Sequence, residues 1–155
     1  MWIKLLLSAL IIAFCVLLGW FAAEKYRARK KLFSQLAAFN ERFLSELTFS
    51  RKPLSVFVKN CDYSGDFLKI VERAVLHEPL PLKLSYLSKE EAGELEEYFT
   101  TLGRGDTASQ FGYFAAKKGV LAECKATAER EEKSHGELYI KLGLLAGLAF
   151  VILIV

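Results

Sequence analysis

The sequence contains few of the residues from which metal sites and reactive thiol sites are built. It has 2 histidines and 3 cysteines in 155 residues. His77 and His135 are isolated, and Cys15, Cys61 and Cys124 form no CxxC pair and have no histidine nearby. Metal binding and thiol chemistry need such residues in close groups. We therefore predict no metal site and no cofactor, with reduced thiols that serve as small hydrophobic side chains.

Motifs of the common enzyme classes are also missing. The chain has no glycine-rich phosphate loop and no set of serine, histidine and aspartate that suggests a catalytic triad. Two acidic pairs, Glu90/Glu91 and Glu96/Glu97, fit the solvated face of a helix better than acid–base machinery. The sequence therefore predicts a non-enzymatic protein, with an enzyme that uses dispersed acidic residues as a minor alternative.

Positive charge is not in excess between the two ends of the chain. Without Lys4 and Lys141, which lie in the apolar ends, the 21 basic residues fall to 19, against 18 acidic residues. A nucleic-acid groove needs a basic excess on one face. We therefore predict no nucleic-acid partner.

Long apolar runs, in contrast, are present at both ends. Residues 5–23 are uncharged and as a helix would cover about 28 Å, close to the roughly 30 Å core of a bilayer. A cleaved signal peptide is the alternative, but the basic residues that follow oppose export. Residues 138–155 give about 27 Å of helix if Lys141 extends to the interface, where Tyr139 would also lie. We predict transmembrane helices at 1–23 and 138–155.

A basic cluster after the first run sets the expected orientation. Positively charged flanks stay in the cytoplasm. Residues 24–137 are therefore predicted to form one small cytoplasmic domain, with both termini on the far side of the membrane. The cluster is also expected to contact anionic lipid headgroups. Its members are Lys25, Arg27, Arg29, Lys30 and Lys31.

The middle segment reads as helical throughout. Apolar residues at spacings of four and three predict that the first span continues as an amphipathic helix until shortly before Pro53. A short helix follows Pro53, and a further helix is broken by Pro79 and Pro81. The apolar positions of the amphipathic helix that continues the first span are Leu32, Leu36, Phe39, Phe43 and Leu47.

Capping signals mark the later helices. Ser88 and Glu91 form a capping box, Gly103 and Gly105 end that helix, and Asp106 caps the next one. From residue 107 the chain lacks a strong helix breaker. The polar stretch 125–137 is predicted to be an exposed helix that bridges the domain and the bilayer, with Gly136 as a flexible point.

Small residues cluster on the second span at Gly143, Ala146 and Gly147. Helix association in lipid depends on the close packing that small residues permit. This face is predicted to dock another helix, from the same chain or from a partner. The alternative is that it faces lipid.

Twelve positions carry a resemblance to the stage III sporulation protein AB family, in the order in which its members have them. They include a leucine–glycine turn followed by an aspartate and a glutamine, and a leucine–tyrosine, leucine–glycine entry into a terminal span. The middle of the chain is shorter than in that family, and "YIK" replaces the usual basic residue after the tyrosine. The positions are Glu46, Phe49, Pro53, Leu54, Leu102, Gly103, Asp106, Gln110, Leu138, Tyr139, Leu142 and Gly143.

This resemblance implies an all-α membrane protein, anchored by a helical hairpin, with a small cytoplasmic bundle like the F domain of secretion-system platform proteins. It further implies a platform subunit of the channel that links mother cell and forespore, in the mother-cell membrane around the forespore. The implied partners are a secretion-type ATPase subunit, other membrane subunits of the channel, and membrane lipid. The alternative is a membrane-anchored adaptor or signalling scaffold unrelated to sporulation.

Overall fold

The computed structural model describes residues 2–49, 54–59, 62–80 and 84–154, and every regular element in these ranges is helical. The predicted all-α class is confirmed. Pro53, Cys61 and Pro81 lie outside the described residues. The helices are α1 (Trp2–Phe49), α2 (Leu54–Lys59), α3 (Asp66–Val75), α4 (Lys89–Thr101), α5 (Thr107–Glu131) and α6 (Glu137–Ile154), with a π-helical turn, Glu132–Gly136, between α5 and α6.

The chain forms two compact units, each of which contains part of α1. One comprises Met1–Lys30 with Thr127–Val155 and is called the hairpin unit below. The other comprises Lys31–Ala126 and is called the aromatic unit. The predicted boundaries at 23/24 and 137/138 separate the transmembrane helices from the cytoplasmic domain, and they stay predictions.

The second half of α1 is amphipathic, as its spacing predicts. Leu32, Leu36, Phe39 and Phe43 are at most 6% exposed, and Leu47 is half-buried. Since a helix repeats every 3.6 residues, steps of three and four keep these side chains on one face. That face contributes to the core of the aromatic unit.

Local signals fix the ends of α3 and α4. α3 ends at Val75, and His77 takes a left-handed conformation (φ 54°) before Pro79. The capping box of α4 is confirmed: the Glu91 backbone NH donates to Ser88 Oγ at 3.1 Å, and the Ser88 backbone NH donates to the Glu91 carboxylate at 2.9 Å.

The turn from α4 to α5 follows its sequence signals as well. Gly103 and Gly105 adopt positive φ angles of 76° and 92°, which glycine reaches without steric cost. Asp106 then caps α5, because its carboxylate accepts hydrogen bonds from the backbone NH (3.4 Å) and the hydroxyl of Ser109. These hydrogen bonds lower the pKa of Asp106.

The core of the aromatic unit is built around the ring of Phe39, which is 0% exposed. Aromatic pairs at centroid distances of 4.5–7 Å add attraction beyond simple burial. Six rings lie 5.5–6.5 Å from that of Phe39, and they belong to Phe43, Phe57, Tyr63, Phe67, Tyr98 and Phe99.

One polar cluster lies inside this aromatic core. Asn40, 1% exposed, accepts a hydrogen bond from the Tyr98 hydroxyl at 2.9 Å and donates one to the Phe114 carbonyl oxygen at 3.1 Å. Buried amides are tolerated when they are hydrogen-bonded in this way. Burial raises the pKa of the Tyr98 hydroxyl, so it stays neutral in the folded state.

The polar stretch 125–137 is helical and mostly exposed, as its composition predicts, but one side of it is covered. Ala128 is 1% exposed and Gly136 is buried. Glu131 and Glu132 form ion pairs with basic residues of α1. The prediction of an exposed helix therefore holds for most of the stretch and fails for these four residues, because part of the charge is neutralised within the hairpin unit; that the stretch bridges the domain and the bilayer stays a prediction.

Candidate functional site

The outer surface of the hairpin unit is strongly apolar. Large side chains along both helices are exposed, for example Phe21 at 66%, Leu145 at 62% and Ile152 at 79%. The most apolar windows of the two long helices have mean hydropathies of 2.5 and 1.8 and are only 11% and 17% buried. By length and composition both helices can cross a membrane. Because a helix in the core of a soluble protein would be mostly buried, this surface indicates membrane association.

Glycines bring the backbones of α1 and α6 into direct contact. A Cβ atom added to Gly143 would lie 2.6 Å from the Cys15 carbonyl oxygen, and one added to Gly19 would lie 2.5 Å from that of Tyr139. At Gly147 the added atom would lie 3.1 Å from the Cα of Ile12. Distances under 3.0 Å leave no room for a side chain without backbone movement. The two spans therefore pack against each other within one chain.

Ala146 is not part of this contact. It is exposed, whereas Gly147 is buried. At about 100° per residue, Ala146 lies roughly 80° from the centre of the face that Gly143 and Gly147 share. The small-residue face of α6 thus consists of its two glycines, and Gly19 on α1 is the matching element that the sequence analysis missed. The sequence signal that could have identified Gly19 was its position among the large apolar side chains of the first span.

A polar layer lies next to the apolar part of the hairpin unit. Arg29 forms an ion pair with Glu131, and Lys30 forms one with Glu132 at 3.2 Å. The Tyr26 ring stacks on the rings of both His135 and Tyr139, with centroids 5.3 and 6.0 Å apart. This polar layer, residues 25–30 with 131–139, joins the two helices by charge and aromatic contact.

The five basic residues that were predicted to meet lipid headgroups make several kinds of contact. Arg29 is 17% exposed and is engaged with Glu131, and Lys30 also has an acidic partner. Lys25 and Arg27 lie over aromatic rings, 5.0 Å from that of Tyr26 and 5.4 Å from that of Trp20, and Arg27 also pairs with Glu24 at 3.8 Å. Lys31 is exposed and belongs to the aromatic unit. Because Arg27 also pairs with an acid and Lys30 is 43% exposed, these contacts do not separate the five residues, and their contact with lipid stays a prediction.

The family-motif positions of the aromatic unit gather partly at one turn. Leu102 is 1% exposed, and the Leu54 side chain lies 3.4 Å from the place of a Cβ on Gly103. Gln110, 5% exposed, donates hydrogen bonds to the carbonyl oxygens of Thr101 (3.4 Å) and Arg104 (2.7 Å). These residues hold the α4–α5 turn in place, which is a structural role.

The other motif positions lie on α1 and α6, the two helices that contain the predicted spans. Glu46 is half-buried near the end of α1, whereas Phe49 is 81% exposed. In α6, Leu138 and Leu142 are about half exposed, at 47% and 49%. Within the described residues, the motif does not converge on a single pocket.

The described part of the aromatic unit has a groove between three of its helices. This groove, among α1, α4 and α5, has a cavity of about 20 Å³, room for about one water molecule. Apolar side chains such as Leu95 and Val120 line it, and Glu91, Glu94 and Lys117 also border it. In the part of the chain that the structure describes, no three His, Cys, Asp or Glu side chains are placed to hold a metal ion.

These features define a helical membrane protein that has a hairpin of two apolar helices and a small bundle with an aromatic core. The family model for stage III sporulation protein AB matches residues 4–73 and 62–155, nearly the whole chain. The chain belongs to the stage III sporulation protein AB family. Neither the curated proteins nor the solved structures include a match to it.

Proposed function

We propose that this protein is a non-enzymatic platform subunit of the sporulation channel that links mother cell and forespore. Membership of a stage III sporulation family carries the proposal. The paired apolar helices support it, because a platform subunit must be held in the membrane while its helical unit remains available to partners. The proposed location is the mother-cell membrane around the forespore, with the aromatic unit in the mother-cell cytoplasm.

A secretion-type ATPase subunit is the proposed cytoplasmic partner, and the groove among α1, α4 and α5 is the proposed docking surface. Val120 is 44% exposed at this groove, and Glu94 is exposed beside it. An apolar contact bordered by Glu91, Glu94 and Lys117 suits a partner that presents an aliphatic side chain next to charged groups of both signs. Other membrane subunits would contact the outer faces of the hairpin unit.

Copurification from sporulating cells tests this function. Tagged full-length protein should retain the ATPase subunit, and Val120→Glu should reduce its recovery at least tenfold and lower spore yield. Val56→Glu is the matched control, because Val56 is 45% exposed on α2 and does not line the groove. Equal recovery of the ATPase subunit with both variants would exclude the groove. Failure of the unmodified protein to retain it would exclude the partner.

Orientation has its own test. A reporter fused after Val155 should lie on the far side of the membrane from the cytoplasm, because the basic residues after the first span hold that end of the domain in the cytoplasm. A reporter fused within the loop around Gly105 should be cytoplasmic. The reverse pattern would contradict the proposed topology.

A further inference from the structure

The glycine contacts fix how α1 and α6 align along the hairpin unit. A Cβ atom on Gly143 would meet the Cys15 backbone, and one on Gly19 would meet the Tyr139 backbone. Four residues separate the two contacts on each helix, and the helices run in opposite directions. Residues that lie at the same level of the two helices can therefore be compared directly.

The outer faces of the two helices differ in charge at one level. Midway between the two glycine contacts lie Leu17 on α1 and Lys141 on α6, and four residues nearer the polar layer lie Phe21 and Glu137. All four side chains are exposed, those of Lys141 and Glu137 at 70% and 59%. The outer face of α6 thus presents an acid and a base where that of α1 presents only hydrocarbon.

This level lies inside the predicted first span. Leu17 and Phe21 are six and two residues from Ala23, where the uncharged run of α1 ends. The backbones of Lys141 and Glu137 are therefore roughly 9 Å and 3 Å deeper than that end. Lys141 Nζ lies 3.5 Å from the Glu137 carboxylate, so the lysine side chain extends toward the polar layer. Charged groups at such a depth usually face protein, because hydrocarbon offers them no partner.

The ion pair continues into a row of leucines on the same side of α6. Steps of four, three and four residues keep side chains on one helix face, as in a coiled-coil seam. The two leucines of the row are 45% and 44% exposed, and the row lies about 110° around the helix from the glycine face. We call this face the α6 seam, and its members are Glu137, Lys141, Leu144 and Leu148.

We propose that the α6 seam binds the same seam of a second copy of this protein, as a parallel pair of helices in the membrane. Copies with the same topology can be related by a two-fold axis along the membrane normal, which brings identical faces together. Side chains of a helix lean toward its N-terminus, so Lys141 reaches the level of Glu137 in the neighbouring helix as well as in its own. Each copy then supplies the base for the acid of the other.

Charge complementarity favours a second copy as the occupant of this face. An apolar helix would leave the ion pair against hydrocarbon, whereas a second seam gives each charge a partner from the other chain and excludes lipid from both. The leucines further along the seam supply the side-chain packing on which helix association in lipid depends. This inference depends on the membrane span and not on the ATPase partner, since every group that it uses lies within the hairpin unit.

Exchange of charges between copies tests the pairing. Two differently tagged copies of the full-length protein, expressed together and purified in mild detergent, should copurify. Lys141→Glu gives a seam with two acids and Glu137→Lys a seam with two bases, so each variant should recover its own second copy at least fivefold less, because like charges meet. The two variants expressed together should recover each other at the wild-type level, since every base again meets an acid.

Lys69→Glu is the matched control for these charge changes. Lys69 forms an exposed ion pair with Asp66 of its own helix at 3.9 Å, but in the aromatic unit. Its reversal should leave copurification unchanged.

Cross-linking locates the contact without any change of charge. In membranes, Leu148→Cys should form a disulfide-linked dimer on oxidation with copper phenanthroline, in a chain in which Cys15, Cys61 and Cys124 are replaced by alanine. Leu10→Cys is the matched control, because Leu10 is 67% exposed on the outer face of α1 at nearly the same level. Its dimer yield should be at least fivefold lower.

A second disulfide reports whether the hairpin unit of each charge variant is intact. A Cβ on Gly147 would lie 3.3 Å from the Cβ of Cys15, near the 3.5–4.5 Å range of disulfides. In the full-length chain, with Cys61 and Cys124 replaced by alanine, Gly147→Cys should form a disulfide with Cys15 on the same oxidation. The charge variants should retain this hairpin disulfide, because the seam lies off the contact with α1.

Three results would overturn the proposal. One is self-recovery of both charge variants at the wild-type level, and another is failure of the mixed variants to recover each other while their hairpin disulfide still forms. The third is an equal dimer yield at positions 148 and 10, or a cross-link from position 148 to a different protein in place of the second copy. The cross-link at 148 needs no charge change, so it decides the proposal even where a charge variant fails to accumulate.

Discussion

The two units of the molecule use aromatic and apolar residues in opposite ways. In the first half of α1, Phe14 and Phe21 are 59% and 66% exposed, whereas in the second half of the same helix Phe33 and Phe39 are at most 3% exposed. The hairpin unit is joined by glycine backbones and ion pairs, with its large side chains outside. The aromatic unit encloses its rings and exposes its charges. The difference shows that one 48-residue helix is adapted to two surroundings, lipid and the interior of a protein.

The largest expected effect comes from removal of the central ring of the aromatic unit. Phe39→Ala should destabilise that unit by about 3–5 kcal/mol, because it leaves a cavity beneath six neighbouring rings. Urea unfolding of the full chain in mild detergent, followed by circular dichroism in the aromatic region, measures this. The disulfide between Cys15 and Gly147→Cys should still form, since the hairpin unit does not use this ring.

Phe111→Ala is the matched control for this change. Phe111 is 45% exposed, so its loss should shift unfolding by no more than about 0.5 kcal/mol. If Phe39→Ala also abolished the hairpin disulfide, the two units would depend on one another and the comparison between them would fail.

The next largest effect is expected at the glycine contact. Gly143→Ala places a methyl group against the Cys15 backbone, and overpacking of this kind costs about 1–3 kcal/mol. The yield of the disulfide between Cys15 and Gly147→Cys should fall severalfold. Gly119→Ala is the control, because a Cβ there meets nothing within 4 Å and alanine favours a helix by about 1 kcal/mol. Equal disulfide yields in the two variants would mean that close backbone approach does not join the spans.

A smaller effect is expected from the buried hydrogen bonds of the aromatic unit. Tyr98→Phe removes the donor to Asn40 and should destabilise the unit by about 1 to 2 kcal/mol. Burial raises the pKa of Tyr98, so folding favours the neutral phenol. This stability is fully present below the unfolded tyrosine pKa of about 10 and is lost as the pH rises above it.

The melting temperature of the wild type should therefore fall more steeply above about pH 10 than that of Tyr98→Phe. Tyr86→Phe tests the same pH effect at a second tyrosine, because burial and a hydrogen bond to Asp66 raise the pKa of Tyr86 as well. Parallel pH profiles for wild type and Tyr98→Phe would show that the Asn40 cluster is insensitive to base.

The smallest effect is expected at the surface cap of α5. Hydrogen bonds from Ser109 lower the pKa of Asp106, so its contribution is present above the unfolded aspartate pKa of about 4 and is lost as the pH falls through the lower folded value. Asp106→Asn keeps a capping side chain but removes the charge. Between about pH 5 and pH 3, the melting temperature of the variant should fall less than that of the wild type. Equal losses would assign the acid sensitivity to other carboxylates.

Local signals made much of the fold predictable from the sequence. Spacing identified the buried face of α1, and short-range chemistry identified the capping box at Ser88 and Glu91 and the glycine turn before α5. Each of these depends on residues within a few turns of helix. These signals can therefore be recognised in the sequence without knowing which helices pack against each other.

Features that depend on distant residues were not predictable in the same way. Asn40 meets Tyr98 across 58 residues, and Arg29 meets Glu131 across 102. Because the partners of Glu131 and Glu132 were unknown, their charge was assigned to solvent. The π turn was missed for the same reason, since it depends on contacts with α1 and carries no proline or other local marker. Composition pointed to the glycines of α6, but only the packing separated them from Ala146.

The contact between Gly19 and Gly143 also has a consequence for how the protein is made. Roughly 120 residues separate the two glycines, and at about 5–20 residues per second a ribosome needs on the order of ten seconds to pass from one to the other. During that interval the first apolar helix has no second helix to pack against, while residues 31–126 are completed and can fold. The hairpin therefore closes late in biosynthesis, after the aromatic unit has had time to form.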